Sequence, residues 1–302
     1  MNKNLIRREQ QIISIYLKKK KKEKMTTKII CVVNDVAKED TNLHSEHGLS
    51  FWLQTEQGNV LWDTGQTPEV FSHNLKVLRL SLQDIDMLAL SHAHYDHTGG
   101  LGAVLSSNTT LTLFAHPDIF QPRYSLRQGE YRSIGLAYNQ SSLSQQIKLN
   151  LSDAPTKIVP GLWTTGGISE RPEPVGGSPH LFIRDGADWQ PDPYRDDISL
   201  VLKTAQGLVV ICGCCHAGIL NTLFHVERNF KGPILAVLGG LHLLYAEDQY
   251  LEHIIHVFDE RFPNISLYLN HCTGENAFKK LVNAFGSRVR ACPAGTVVNF
   301  ND

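Results

Sequence analysis

The chain has 302 residues, of which 42% are hydrophobic and 20% charged, with a formal net charge of −1. That is enough apolar material for a large core, and the near-zero charge gives no overall pull toward nucleic acid or an anionic membrane. No apolar run reaches the ~18–20 residues that a transmembrane helix needs. The six cysteines, three of them crowded at 212, 214 and 215, do not make a disulfide framework, so a reduced, cytoplasmic protein is expected.

In chain order, residues 1–24 close on a charge run, Lys18 through Lys22 with Glu23 and Lys24. The apolar stretch Ile12–Leu17 is too small for a signal-peptide core, and its positive block lies on the wrong side. This segment reads as a disordered extension or a misplaced start, and the folded domain as 25–302. Strands are expected at Lys28–Val33, Leu49–Thr55 and Val60–Trp62, the last two joined through Gln57-Gly58-Asn59. A helix over Pro68–Leu80 follows, with Thr67 as N-cap and Pro68 in the first turn. Met87–Leu90 is a short buried strand, Leu101–Leu105 opens a helix, and Leu111–Ala115 is a strand ended by His116-Pro117.

Residues 120–196 are the least regular, with strands at Lys157–Val159 and Leu181–Arg184 and long loops that either shape entry to a site or run over the surface. Regularity returns with a hairpin of Ser199–Thr204 and Leu208–Cys212 around Gln206-Gly207. Then come a helix Ile219–Phe230, a strand Ile234–Leu238, a helix Glu247–Arg261, a strand Ile265–Leu269, a helix Glu275–Phe285 and a strand Val297–Phe300. Alternating strands and helices with hairpin blocks indicate a layered α/β protein.

The chemistry concentrates in His92-Ala93-His94-Tyr95-Asp96-His97, directly after the strand Met87–Leu90 and before Thr98-Gly99-Gly100. Imidazole nitrogen and carboxylate oxygen suit zinc and similar divalent ions. In extended chain, His92 and His94 point the same way and can grip one ion. Asp96 and His97, past the turn, can face a second ion roughly 3.5–4 Å away, a spacing at which two metals clamp an attacking and a leaving oxygen. Three more histidines, His216, His242 and His271, sit directly after predicted strands, where they can join the cluster. Asp63, also at a strand end, is placed to accept a remaining imidazole N–H and so fix its tautomer.

These residues resemble the metallo-β-lactamase superfamily, whose signature is His-x-His-x-Asp-His after a strand, and Val60-Leu61-Trp62-Asp63-Thr64-Gly65 resembles the element that precedes it. The resemblance implies a four-layer αββα sandwich with two divalent ions, zinc with manganese or iron as alternatives, at one edge between two sheets. It matches His271 to the final ligand of the site that holds Asp96 and His97, and His216 to the site of His92 and His94. His242 matches no superfamily ligand and is assigned to substrate contact, a structural place being the alternative. Where most hydrolases of the superfamily carry a bridging aspartate, this chain has Gly213-Cys214. Cys214 or Cys215 can supply a thiolate there or be small buried residues, Cys214 is placed beside the ligands, and Asp197 is a rival acid.

Further local features resemble one branch, the dihydropterin-forming synthase-like proteins related to methanopterin biosynthesis: Glu46-His47-Gly48-Leu49-Ser50, Gly213-Cys214-Cys215-His216-Ala217-Gly218, Gly239-Gly240-Leu241-His242-Leu243 and His271-Cys272-Thr273-Gly274. The preferred expectation is a metal-dependent hydrolase in which an activated water attacks a phosphoryl or acyl centre of a small molecule. Asp96 orients that water, and His242 or His271 steadies the developing charge. Arg123 and Arg127, together with His47, are placed as substrate contacts for phosphate. The alternatives are a transferase that condenses a pterin methyl diphosphate with an aminobenzene ribose phosphate, and a metal-binding protein without catalysis. An iron-based oxygen reductase of the superfamily would carry Glu at position 94. No nucleic-acid or membrane partner is expected, and a homodimer is open.

Overall fold

A computed structural model of the chain describes residues 26–107 and 110–301, so the extension expected at 1–24 lies outside the described residues. The first half opens with strands β1 (Thr26–Val33), β2 (Ser50–Thr55) and β3 (Gly58–Trp62) and helix α1 (Pro68–Val77). It continues with β4 (Met87–Ala89), the single-turn α2 (Tyr95–Thr98), α3 (Leu101–Ser107) and β5 (Thr112–Ala115). A hairpin of β6 (Arg123–Arg127) and β7 (Glu130–Ser133) precedes α4 (Gln140–Ser144) and β8 (Lys148–Leu151). The second half starts with β9 (Lys157–Val159), β10 (Leu162–Thr164), β11 (Leu181–Asp185), β12 (Asp188–Pro191), β13 (Ser199–Lys203) and β14 (Leu208–Cys212). It then alternates α5 (Ile219–Asn229), β15 (Ile234–Gly239), α6 (Asp248–Arg261), β16 (Ser266–Leu269), α7 (Glu275–Phe285) and β17 (Val289–Ala291), and ends with β18 (Val297–Asn301).

Two seven-stranded sheets carry the fold, ordered β18-β1-β2-β3-β4-β5-β8 and β17-β16-β15-β14-β13-β10-β9. Their strands are apolar on both faces because both faces are covered. Along β14, Val209 and Ile211 meet the other sheet, whereas Leu208, Val210 and Cys212 meet helices α5, α6 and α7. Along β1 the same alternation sends Ile29 and Cys31 between the sheets and Ile30 and Val32 toward α1 and α3. Three apolar layers of contact therefore separate four layers of structure, the αββα sandwich. Pairing is parallel through β3-β4-β5-β8 and through β14-β15-β16-β17, and the carboxyl ends of parallel strands are where open α/β sheets present their chemistry.

Two local outcomes differ from the sequence reading. Helix α1 stops at Val77 rather than Leu80, because Arg79 turns left-handed (φ 58°) and Leu80 N–H reaches back to Leu75 O at 2.9 Å, a C-terminal capping turn. The irregular region around 120–196 holds more strand than its composition suggested. Strands β12, β11, β6 and β7 form a separate four-stranded sheet, held on one face by Tyr131 stacked on Trp189 at 3.6 Å. Its strands are short and polar, with little periodicity to read.

Candidate metal centre

Two largely buried groups of donors form where the sheets' carboxyl ends meet, with a third, more exposed one of Asp35, His47 and His271 beside them. The ligand atoms of Asp96, His97, Cys214 and His271 all lie within 4.8 Å of one another, and so do those of His92, Cys214 and His216. Cys214 belongs to both groups. It was expected beside the ligands; its sulfur instead stands among them, 3.1 Å from His97 Nε2, in the place left by the absent aspartate. His94 touches the His92–Cys214–His216 group without joining it: its Nδ1 is 3.0 Å from His92 Nε2, and its ring centre 5.0 Å from that of His216.

One carboxylate orients both groups. Asp63, fully buried at the end of β3, accepts Ser91 N–H and the Ser91 hydroxyl, each at 2.7 Å, and faces His97 Nδ1 at 2.7 Å. With its proton given to Asp63, the Ser91 oxygen is left to accept from His92 Nδ1, 2.8 Å away. Both imidazoles thus hold their proton on Nδ1 and turn Nε2 toward the donors, the tautomer that metal ligation requires. Gly213 makes room for this arrangement: a Cβ there would lie 2.2 Å from Ser91 Oγ. On the four-donor group, Asp35 takes the corresponding part, facing His271 Nδ1 at 2.7 Å and His47 Nδ1 at 3.2 Å. His47 Nε2 and His271 Nε2 each stand 3.3 Å from Asp96 Oδ2.

The electrostatics agree with a cation site. Burial, with smaller contributions from neighbouring imidazoles, pushes His92 and His216 well below the ordinary histidine range, and burial holds His94 at about 4. These rings are neutral with lone pairs to give. Burial raises the Asp96 carboxyl, but His97 and His271 outweigh it and hold it ionised. Nε2 of His94 and Nε2 of His216 are buried with no hydrogen-bond partner, and such atoms require an occupant. A divalent ion satisfies them, and nitrogen, sulfur and carboxylate donors together suit zinc-like metals. The residues present therefore fit the implied ions.

Backbone strain marks the same place. Of eight described non-glycine residues with positive φ, Asp63, Cys215, His242 and His271 lie in or beside the cluster. A fifth, Tyr194, stacks on His216 with ring centres 4.4 Å apart. Such conformations cost roughly 1–3 kcal/mol each and persist where surrounding structure over-determines them.

The donors open into a cavity of about 710 Å³ lined by His47, His94, Asp96, Arg127, Cys214, His242 and His271 among others. His242 is in the wall, its ring 4.3 Å from that of His216 and its Nδ1 without a partner. Arg127 is in the wall as well. Arg123 is not, which corrects its assignment to substrate: it is 2% exposed and ion-paired to Asp192 at 2.8 Å and Asp196 at 2.7 Å. Asp196 in turn accepts Ala93 N–H at 2.8 Å, between two motif histidines, so Arg123 positions the motif from behind. Arg123→Met strands two buried carboxylates and is expected to destabilise the fold by roughly 3–5 kcal/mol, checked by chemical denaturation. Asp197 joins neither donor group; burial raises its carboxyl to about 7, and its Oδ2 accepts Ala217 N–H at 2.9 Å. Asp35, Ser91, Asp196 and Tyr194 escaped the sequence reading. Only Asp35, directly after β1, had a signal, an acid at a strand end.

A family model for the metallo-β-lactamase superfamily matches residues 46–185. A solved structure described as a metal-dependent hydrolase of the β-lactamase superfamily superposes with TM-score 0.77 at 27% identity, covering 91% of this chain and all of that one. In its motif-bearing part and in its fold the chain is thus similar to the metallo-β-lactamase superfamily. It is also 29% identical over 292 residues to the 7,8-dihydropterin-6-methyl-4-(β-D-ribofuranosyl)-aminobenzene-5'-phosphate synthase of Methanocaldococcus jannaschii, covering 90% of this chain and 96% of that protein. The metallo-β-lactamase fold protein YhfI of Bacillus subtilis shares the fold, with TM-score 0.55 and 15% identity over 91% of this chain and all of that one. No helix among the described residues is long and apolar enough to cross a membrane.

Proposed function

We propose that this protein is a metal-dependent hydrolase of the metallo-β-lactamase superfamily, acting on a phosphate-bearing small molecule. The observation that carries the reading is the pair of compact donor groups sharing Cys214 on the floor of one cleft, with Arg127 on its wall. Two bound divalent ions would supply Lewis acidity and lower the pKa of water toward neutrality. His92, Cys214 and His216 would hold one ion, with His94 beside it, and Asp96, His97, Cys214 and His271 the other. Asp96, which also faces His47, orients the attacking water toward phosphorus. His242 turns its unpartnered ring toward the substrate and steadies the charge that grows on the phosphoryl oxygens. Arg127 pairs with a substrate anion.

Likeness to the Methanocaldococcus synthase along nearly its whole length supports a second reading, in which the same cleft binds a pterin methyl diphosphate and an aminobenzene ribose phosphate, and the amine nitrogen bonds to the pterin methylene carbon as diphosphate leaves and the amine gives up a proton. Incubation of the metal-loaded chain with phosphomono- and diesters, and separately with the two synthase substrates, divides the readings. Phosphate release from esters supports hydrolysis; a coupled product with diphosphate release overturns it in favour of synthesis. Chelation is expected to abolish either activity and lower the melting temperature, because it strands the buried nitrogens of His94 and His216, and zinc is expected to restore both. A melting curve with and without chelator checks this.

A further inference from the structure

Six large hydrophobic side chains are exposed among the described residues, and three of them, Tyr95, Leu244 and Tyr245, line the one cleft that holds the donors. Both Leu244 and Tyr245 are 58% exposed, although their loop is fixed: Ala246 N–H closes a turn on Leu243 O at 3.0 Å. Tyr95 arrives from the other half of the chain, on α2, and its N–H is tied to Ile134 O at 2.8 Å. Exposed aromatic side chains gathered at a cleft, on tethered backbone, mark a binding surface rather than incidental exposure.

Charge at the mouth is equally selective. Arg127, on the β6–β7 hairpin, is the only arginine or lysine among the residues lining the cleft. Its Nε meets Ser125 Oγ at 3.3 Å, and it forms no ion pair among the described residues. The hairpin is braced by its own Tyr131, on β7, stacked on Trp189 of β12, so Arg127 stands on a supported strand. An unpaired guanidinium in a cleft that also carries two exposed tyrosines suits an anion carried on a flat ring.

We propose that the cleft mouth is a subsite for a planar aromatic ring bearing an anionic group on its outer side, with Tyr95 and Tyr245 against the ring and Arg127 on the anion. This deepens the phosphate reading above and rests on it for the inner end of the ligand. The substrate is then an aryl phosphate with a second, outward-facing negative charge.

Calorimetric titration of the metal-loaded full chain with phosphonates, which are not hydrolysed, tests the subsite. Phenylphosphonate is expected to bind about tenfold more tightly than cyclohexylphosphonate, which has similar bulk without a flat face. 4-Carboxyphenylphosphonate is expected to bind more tightly still. Tyr245→Ala should erase the phenyl preference, and Arg127→Gln only the gain from the carboxylate. Equal binding of phenyl and cyclohexyl probes, or preferences that survive both substitutions, overturns the subsite. A chain that keeps these preferences yet hydrolyses no phosphoester supports the subsite and sinks only the hydrolase reading. A chain that binds none of the phosphonates overturns both.

Discussion

His97→Ala is expected to leave the chain with about one divalent ion where the two donor groups of the parent are expected to hold about two, and to reduce turnover by several orders of magnitude. The asymmetry follows from the donor geometry. His97 Nε2 stands 3.1 Å from Cys214 Sγ, 3.3 Å from His271 Nε2 and 3.7 Å from Asp96 Oδ2, at the centre of the four-donor group. The His92–Cys214–His216 group does not include it. Loss of the ring leaves three donors of mixed charge around a void and frees Asp63 of one partner. Elemental analysis of protein purified without added metal reads the stoichiometry, and His73→Ala serves as the control. His73 stacks on His44 at 3.8 Å and belongs to neither donor group, so it should leave both metal and turnover unchanged. Full metal content in His97→Ala would disprove the assignment of the four-donor group.

Much of this site was legible in the sequence because its donors are adjacent along the chain. Four ligand-type residues in six positions after a short apolar strand announce a metal site, and histidines at three further strand ends announce where the chain returns to it. The layers were legible too: strands apolar on every residue, such as Leu208–Cys212, require cover on both faces. What escaped was pairing across the fold. Arg123 and Arg127 lie four apart in a stretch that reads as irregular, so sequence alone gives them the same use. Only the structure shows Asp192 and Asp196, from the far side of an irregular stretch, enclosing one and leaving the other free. Ser91 and Asp35 are ordinary loop residues until the histidine nitrogens they face are located. For Cys214 the sequence left two open uses, ligand or packing, and only the placement of β14 against α2 brings its sulfur to both donor groups.

The second large effect is expected at Asp63, a residue that touches no ion. Asp63→Asn should weaken metal binding by about 10–100-fold at both donor groups, whereas Ser91→Ala should weaken it only at the group containing His92. Asparagine matches the shape of aspartate and tolerates the left-handed backbone (φ 58°) that this position adopts, so chain strain does not enter. The loss is in proton direction. Asp63 accepts from Ser91 N–H and the Ser91 hydroxyl, and holds His97 Nδ1–H; a carboxylate can take all three, but an amide has one oxygen. Oδ2 of Asp63 serves both His97 Nδ1 and the Ser91 hydroxyl, whereas Oδ1 serves Ser91 N–H. An amide nitrogen at the Oδ2 position makes the His97 ring move its proton to Nε2, the atom aimed at Cys214 and His271, and turns the Ser91 hydroxyl around so that it no longer accepts from His92. At the Oδ1 position the amide nitrogen instead opposes the buried Ser91 N–H, which favours the first orientation, in which both imidazoles present N–H where a lone pair is needed. Competition against a coloured chelator resolves two affinities in the parent. A variant that keeps both would show that the tautomers are set elsewhere, and one that loses both would make Asp63 the common support of the two halves of the centre.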